Sequence, residues 1–131
     1  MNVGVLGGGR MGAGIAHAFL MQGAPVVVVD PETAAAEERV RAALAGSVER
    51  GQTPGSTELT MSDDISDFAD CELVIEAVPE DLTLKTDALR RIEATIAPGA
   101  AIASNTSSIS IDTLAAALER PADFVGLHFF N

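Results

Sequence analysis

The chain has 131 residues, 47% hydrophobic and 21% charged, with 19 acidic residues against 8 basic ones and a formal net charge of −11. That is enough for one ordinary domain with a hydrophobic core, and residues 1–131 are read as one domain. So acidic a surface repels nucleic-acid phosphates and anionic lipid, which excludes both as expected partners; an anionic ligand must be held by backbone N–H groups and a few placed cations.

Met1 to Leu6 run directly into a strand pattern, without the basic start and long apolar run of a secretory leader. Val3 to Leu6 read as the first strand, followed by a glycine-rich turn and a helix from about Met11 to Gln22 that Gly23 stops. Val26 to Val29 are a β-branched run, as in a strand buried on both faces. After Pro31, Glu32 to about Arg50 are rich in Ala, Glu and Arg and read as a helix, stopped by Gly51 and followed by a loop over residues 52–56. Leu59 to Met61 fit a short strand and Asp63 to Phe68 a short turn or helix.

Cys71, the single cysteine, excludes an intramolecular disulfide and a cysteine metal cluster, and it suits a reducing compartment. It precedes a buried strand, Leu73 to Ile75, at the end away from any ligand, and is expected to be inert. Leu82 to Ile96 form the next helix, Pro98-Gly99 a turn, and Ala101 to Ser104 a strand. Ser110 caps a helix running to about Leu118, and Phe124 to Phe129 form the last strand. Strands that alternate with helices predict an α/β fold: a Rossmann-type, doubly wound, mostly parallel sheet with helices on both faces. No apolar run reaches membrane-spanning length and no residues have metal-ligand spacing, so a cytoplasmic protein without metal is expected.

Gly7-Gly8-Gly9-Arg10-Met11-Gly12 matches G-x-G-x-x-G, directly after a strand and at the opening of a helix, and the next buried strand ends in Asp30. The complete unit is far more specific than the glycines alone. Gly7 permits the tight turn, Gly9 lets the backbone approach a pyrophosphate, and Gly12 lets the helix pack close to the sheet. The pyrophosphate then sits among free N–H groups at the positive end of the helix dipole. Asp30 can accept hydrogen bonds from both hydroxyls of an adenine ribose and would repel a 2′-phosphate; Pro31 and Glu32 supply no cation beside it. NAD is therefore expected rather than NADP, with Gly7, Gly9, Arg10, Met11, Gly12 and Asp30 as cofactor-binding residues.

Ligands of open parallel sheets bind beyond the carboxyl ends of the strands. Three polar clusters fall there: Glu76-Ala77-Val78-Pro79-Glu80, Ser104-Asn105-Thr106-Ser107-Ser108 and His128-Phe129-Phe130-Asn131. Taken singly, their members have plainer readings. His128 fits a hydrogen-bonded core histidine, Ser108 and Ser110 fit helix caps, Glu80 and Asp81 fit acidic residues at a helix start, and Lys85 fits a solvated helix residue. His17, on the first helix, is expected to be structural or exposed.

Taken together with Gly7 to Gly14, these clusters resemble, in order and spacing, the successive signatures of the L-3-hydroxyacyl-CoA dehydrogenases. The resemblance implies that Met11 lies at the pyrophosphate turn and Asp30 on the adenosine ribose. It implies contacts from Glu80 and Lys85, the only lysine of the chain, to the nicotinamide half. It makes Ser107 a residue that touches both the cofactor side and the substrate oxygen, His128 the catalytic histidine, and Asn131 an asparagine near the nicotinamide. Oxidising a secondary alcohol needs a base for the hydroxyl proton while hydride leaves the carbon; histidine titrates near neutral pH, and a serine hydroxyl can hold the same oxygen.

The family pattern continues past Asn131 with a glutamate that pairs with the histidine and a helical domain that closes the substrate site and forms a homodimer. This chain is therefore expected to be the NAD-binding part of a longer enzyme, weakly active or inactive alone. Family members carry a longer helical hairpin between the positions of Asp30 and Leu59, with basic residues for the CoA. The segment here is shorter and has no lysine. That leaves the acyl group on CoA, on a carrier protein, or replaced by a free hydroxy or sugar acid. A non-catalytic dinucleotide-binding module is the reading from another class.

Overall fold

A computed structural model of the chain describes residues 1–129. The apolar runs form six strands: β1 (Val3–Leu6), β2 (Val26–Val29), β3 (Leu59–Ser62), β4 (Leu73–Glu76), β5 (Ala101–Ser104) and β6 (Phe124–Gly126). Four helices connect them: α1 (Arg10–Met21), α2 (Thr33–Glu49), α3 (Leu82–Thr95) and α4 (Ile111–Ala115), with 3-10 turns at Ile65–Phe68 and Pro121–Asp123. The sheet order is β3-β2-β1-β4-β5-β6 and every pairing is parallel. The chain winds outward from β1 to β3, then returns to place β4 on the other side of β1. This is the doubly wound arrangement expected from the alternating pattern.

Alternation along the strands feeds two cores. Val3 and Val5 of β1 and Val26 and Val28 of β2 pack with Ile15, Ala16 and Leu20 of α1 and Val40 of α2. Leu6, Val29, Val74 and Ile102 point the other way, onto Phe68 of the first 3-10 turn, Leu89 and Ile92 of α3, and Leu114 of α4. A sheet covered on both faces explains why its strands read as continuous apolar runs. Gly4 interrupts the run because a Cβ there would lie 2.6 Å from the buried Phe68 ring.

The register sets up everything that follows. Val29, Leu6, Glu76, Ser104 and Gly126 lie side by side across the sheet. The chain therefore leaves the sheet along one edge at Asp30, Gly7, Ala77, Asn105 and Leu127, residues spread over most of the sequence.

Two elements end about three residues before the sequence pattern predicts. The helix after Ser110 ends at Ala115 rather than near Leu118. Ala117 and Leu118 make tighter bonds to Leu114 and Ala115, and the Glu93 carboxylate takes the Glu119 and Arg120 amides at 2.9 and 2.8 Å, drawing the chain off the helix axis. The last strand stops at Gly126 rather than Phe129. Its neighbour β5 ends at Ser104, so after the Leu127 amide bonds the Ser104 carbonyl no ladder remains. The Phe129 amide donates instead to the Asn105 side chain, at 2.8 Å.

Candidate active site

A crevice of about 960 Å³ lies over the carboxyl edge of the sheet, at the point where β1 and β4 diverge. Gly7, Gly9, Arg10, Met11 and Asp30 line one half; Glu80, Lys85, Ser107 and His128 line the other. The structure thus gathers all the sequence-predicted site residues except two. Gly12 lies buried beneath the turn, and Asn131 falls outside the described residues.

The three fingerprint glycines do different things. Gly7 has φ +104°, the left-handed region, and a Cβ there would lie 2.7 Å from the Ala77 carbonyl oxygen. A Cβ on Gly12 would overlap the Gly7 carbonyl oxygen and sit 2.8 Å from its carbon, so this position holds α1 against the turn. Gly9 is the N-cap of α1, and a Cβ on it would meet nothing within 4 Å. The space over Gly9 is open to a ligand. No side chain caps α1 and its first turn holds no carboxylate, so its leading amides and dipole face the crevice uncompensated. That is what a pyrophosphate requires.

Asp30, just past β2, is tied into the same turn. Its Oδ2 accepts from the Gly8 amide at 2.7 Å and its Oδ1 from the Glu32 amide at 2.7 Å. Each oxygen keeps a lone pair for a ribose hydroxyl. Gly8 is clasped from its other side as well, because Arg39 of α2 donates Nη1 to its carbonyl at 2.9 Å. Two turns of helix carry Arg39 back over the sheet to the glycine turn, a contact that periodicity alone does not reveal.

The second half of the crevice rests on a buried charged network. Glu76, at the end of β4, is 0% exposed, and Lys85 of α3 is 1% exposed. The Lys85 ammonium donates to Glu76 Oε2 at 2.6 Å and to the Val78 carbonyl at 3.0 Å, and lies 3.4 Å from Glu80 Oε1. Glu76 also accepts from the Val78 amide at 2.8 Å and from the Ser104 hydroxyl at 2.5 Å. Lys85 is therefore not the solvated helix residue of its plainer reading.

Glu80 collects donors from the turn after β5. Its carboxylate accepts from the Thr106 hydroxyl, from the amides of Ser107 and Ser108 at 2.8 Å each, and from the hydroxyls of Ser107 and Ser108 at 3.0 and 2.9 Å. Desolvation opposes its charge, but the amides of Ser108 and Ser107 and the Ser108 and Thr106 hydroxyls outweigh it and hold the carboxyl far below the usual carboxylate range. Ser108 serves Glu80 in this way, while Ser110 caps α4 through the Thr113 amide. Asp81, not Glu80, caps α3, accepting from the Leu84 amide at 2.9 Å. His128 follows β6, is exposed and lines the crevice. The neighbouring Phe129 is fixed on both sides, by Asn105 and by its ring against Phe19 at 6.3 Å between centroids.

Some roles in this site are not legible in the sequence: Glu76 as a counter-ion, Arg39 on the glycine turn, and the contacts of Asn105 and Thr106, which stand in the sequence only as members of a polar cluster. The residues expected to stand aside do so. His17 Nε2 lies 2.8 Å from the Ser47 hydroxyl, joining α1 to α2. Cys71 is buried, and desolvation, helped by the Asp70 and Glu72 carboxylates, pushes its thiol up to about 11. No group of His, Cys, Asp and Glu among the described residues is arranged to hold a metal.

Comparison with known proteins agrees with this geometry. The family described as "3-hydroxyacyl-CoA dehydrogenase, NAD binding domain" matches residues 2–131. A 3-hydroxybutyryl-CoA dehydrogenase of Mycobacterium tuberculosis is 42% identical over 98% of this chain and 49% of its own. The crystal structure of (S)-3-hydroxybutyryl-CoA dehydrogenase from Ralstonia eutropha superposes with a TM-score of 0.91 at 34% identity, covering 99% of this chain and 49% of that one. That of an NAD⁺-dependent 5-formyl-3-hydroxy-2-methylpyridine-4-carboxylic acid 5-dehydrogenase does so with 0.89 at 32%, covering 99% and 44%. The chain spans about half the length of the curated 3-hydroxybutyryl-CoA dehydrogenases it matches. It belongs to the NAD-binding domain family of the 3-hydroxyacyl-CoA dehydrogenases, and NAD is its cofactor.

Proposed function

We propose that this chain is the cofactor half of an enzyme that oxidises the hydroxyl of a 3-hydroxyacyl thioester. The carrying observation is that one crevice brings His128 and Ser107 to the glycine turn and Asp30. Gly7, Gly9, Arg10 and Met11 would hold the pyrophosphate of NAD, and Asp30 the adenine ribose, with Glu80 and Lys85 toward the nicotinamide half. Bound NAD supplies the hydride acceptor. His128 takes the hydroxyl proton at an imidazole nitrogen and returns it in the reverse direction. The Ser107 hydroxyl turns from Glu80 toward the reacting oxygen and holds it in line for transfer. The relatives named for 3-hydroxybutyryl-CoA support an acyl-CoA substrate. A homodimer is part of the same reading through the family resemblance, and a cytoplasmic place is supported by the bacterial relatives; no helix among the described residues is long and apolar enough to cross a membrane.

The test is His128→Ala in the full-length protein. Turnover of 3-hydroxybutyryl-CoA should fall by about 10²–10⁴-fold, with NADH affinity within about twofold of wild type because the turn and Asp30 supply most of the binding. A variant that keeps its rate would make His128 a structural residue and end the proposal. One observation favours a second reading, a free hydroxy acid or a carrier-protein thioester: α2 is a single helix with no lysine in it or in the loop that follows. A panel of CoA, carrier-protein and free-acid substrates separates the two.

A further inference from the structure

Lys85 sits where an apolar side chain belongs. On α3 it shares the buried stripe of Ala88, Leu89 and Ile92. Two of its contacts are anchors inside the protein, Glu76 at 2.6 Å and the Val78 carbonyl at 3.0 Å. The third, Glu80 at 3.4 Å, is the longest, and the Glu80 side chain is 33% exposed at the crevice. Glu76 is committed as fully as Lys85, bonded to Ser104 on β5 and to the Val78 amide. Buried ion pairs are seldom worth their desolvation as stability devices, since apolar residues of similar volume often serve as well. This one lies directly beneath the divergence of β1 and β4, with its only outward contact facing the ligand crevice.

We propose that Glu76 is a positioning residue for cofactor binding. As the buried counter-ion of Lys85, it fixes the ammonium on β4 so that its remaining donor, with Glu80, is presented to the nicotinamide half of NAD. An arriving ribose hydroxyl can replace Glu80 on that donor without disturbing the other two contacts. Glu80 also orders Ser107, so the same chain of contacts links cofactor arrival to the serine turn. This rests on the reading above, in which Lys85 and Glu80 face the nicotinamide half. Glu76 lies beneath the crevice; besides Glu80, the charged or titratable groups that line it with Lys85 are Arg10, Asp30, Asp87, Arg91 and His128.

The experiment is NADH titration by fluorescence on this chain, with displacement by ADP, which lacks the nicotinamide ribose. Glu76→Gln removes the charge and keeps the contacts: its amide oxygen accepts from Lys85 and Val78, and its amide nitrogen donates to the Ser104 hydroxyl. NADH should bind about tenfold more weakly while ADP binds as it does to wild type, because only the nicotinamide half reaches Lys85. Glu76→Gln/Lys85→Met removes both buried charges, so it tests the idea even if the single variant does not fold. It too should bind NADH weakly and ADP as wild type does. Wild-type NADH affinity in Glu76→Gln, an equal loss for ADP, or recovered NADH affinity in the double variant would show that the pair merely fills space and overturn the inference. Failure of the wild-type chain to bind NADH would instead strike the reading of the crevice itself.

Discussion

Two glycines of one motif should respond in opposite ways to the same methyl group. In Gly12→Ala the new Cβ would overlap the Gly7 carbonyl, which is backbone and has no side-chain rotation to relieve it. Either α1 moves away from the turn, opening its packing through Ile15, Ala16 and Leu20, or the turn distorts. Overpacking of this kind costs about 3 kcal/mol or more at the upper end of its usual range, and the gain from replacing glycine inside a helix, about 0.5–1 kcal/mol, does not offset it. At about 4 °C per kcal/mol for a chain of this size, the melting temperature should fall by about 10 °C. In Gly9→Ala the Cβ meets nothing within 4 Å and the backbone has φ −69° and ψ −167°, open to any residue. Stability should change by less than about 1 kcal/mol, the lost N-cap preference for glycine and the reduced freedom of the unfolded chain pulling in opposite directions. The methyl does stand where a pyrophosphate would approach. Losing one or two charge-assisted hydrogen bonds should weaken NADH binding by about 10- to 1000-fold. Thermal unfolding by circular dichroism and NADH titration by fluorescence read the two effects separately. A Gly9→Ala chain that binds NADH like wild type would refute the placement of the pyrophosphate, and a Gly12→Ala chain of unchanged melting temperature would refute the close contact of α1 with the turn.

Asp30→Ala should bind NADH more weakly and narrow the preference over NADPH. It should also cost about 1 kcal/mol in stability by releasing the Gly8 and Glu32 amides; NADPH binding equal to NADH in the wild-type chain would contradict the role of the carboxylate. The Glu80 carboxyl is held below its unfolded value, so its contacts stabilise the fold above about pH 4.3 and are lost as the pH falls below that. The stability gap between wild type and Glu80→Gln should therefore close on going from pH 6 toward pH 2, and a gap independent of pH would mean that the charge of Glu80 is not what the serine turn recognises. Cys71, buried with its thiol raised to about 11, should resist alkylation by iodoacetamide at pH 8 in the native chain and react once unfolded.

The sequence by itself determined much of this protein because much of it is locally encoded. Val3–Leu6, Val26–Val29 and Ala101–Ser104 are strands at the predicted bounds, since short apolar runs between glycine and proline breaks have few other uses. The glycine turn and Asp30 were legible because backbone conformation and close approach restrict the residue type at each position, and the motif spacing placed Ser107 and His128 at strand ends. Only the tertiary structure decided which side chains meet there. Glu76 finds Ser104 through the β4–β5 register, and Lys85 finds Glu76 because α3 turns it inward with Ala88, Leu89 and Ile92. In the sequence a lysine on this helix reads as a solvated residue until its counter-ion is placed. Arg39 reaches Gly8 only because α2 folds back over the sheet, Glu80 claims the serines because two strand ends lie side by side, and β6 stops where β5 gives it no further partner. Periodicity records which face a residue takes along its own element. The partner across the sheet depends on register and packing, which arise only when the elements are assembled.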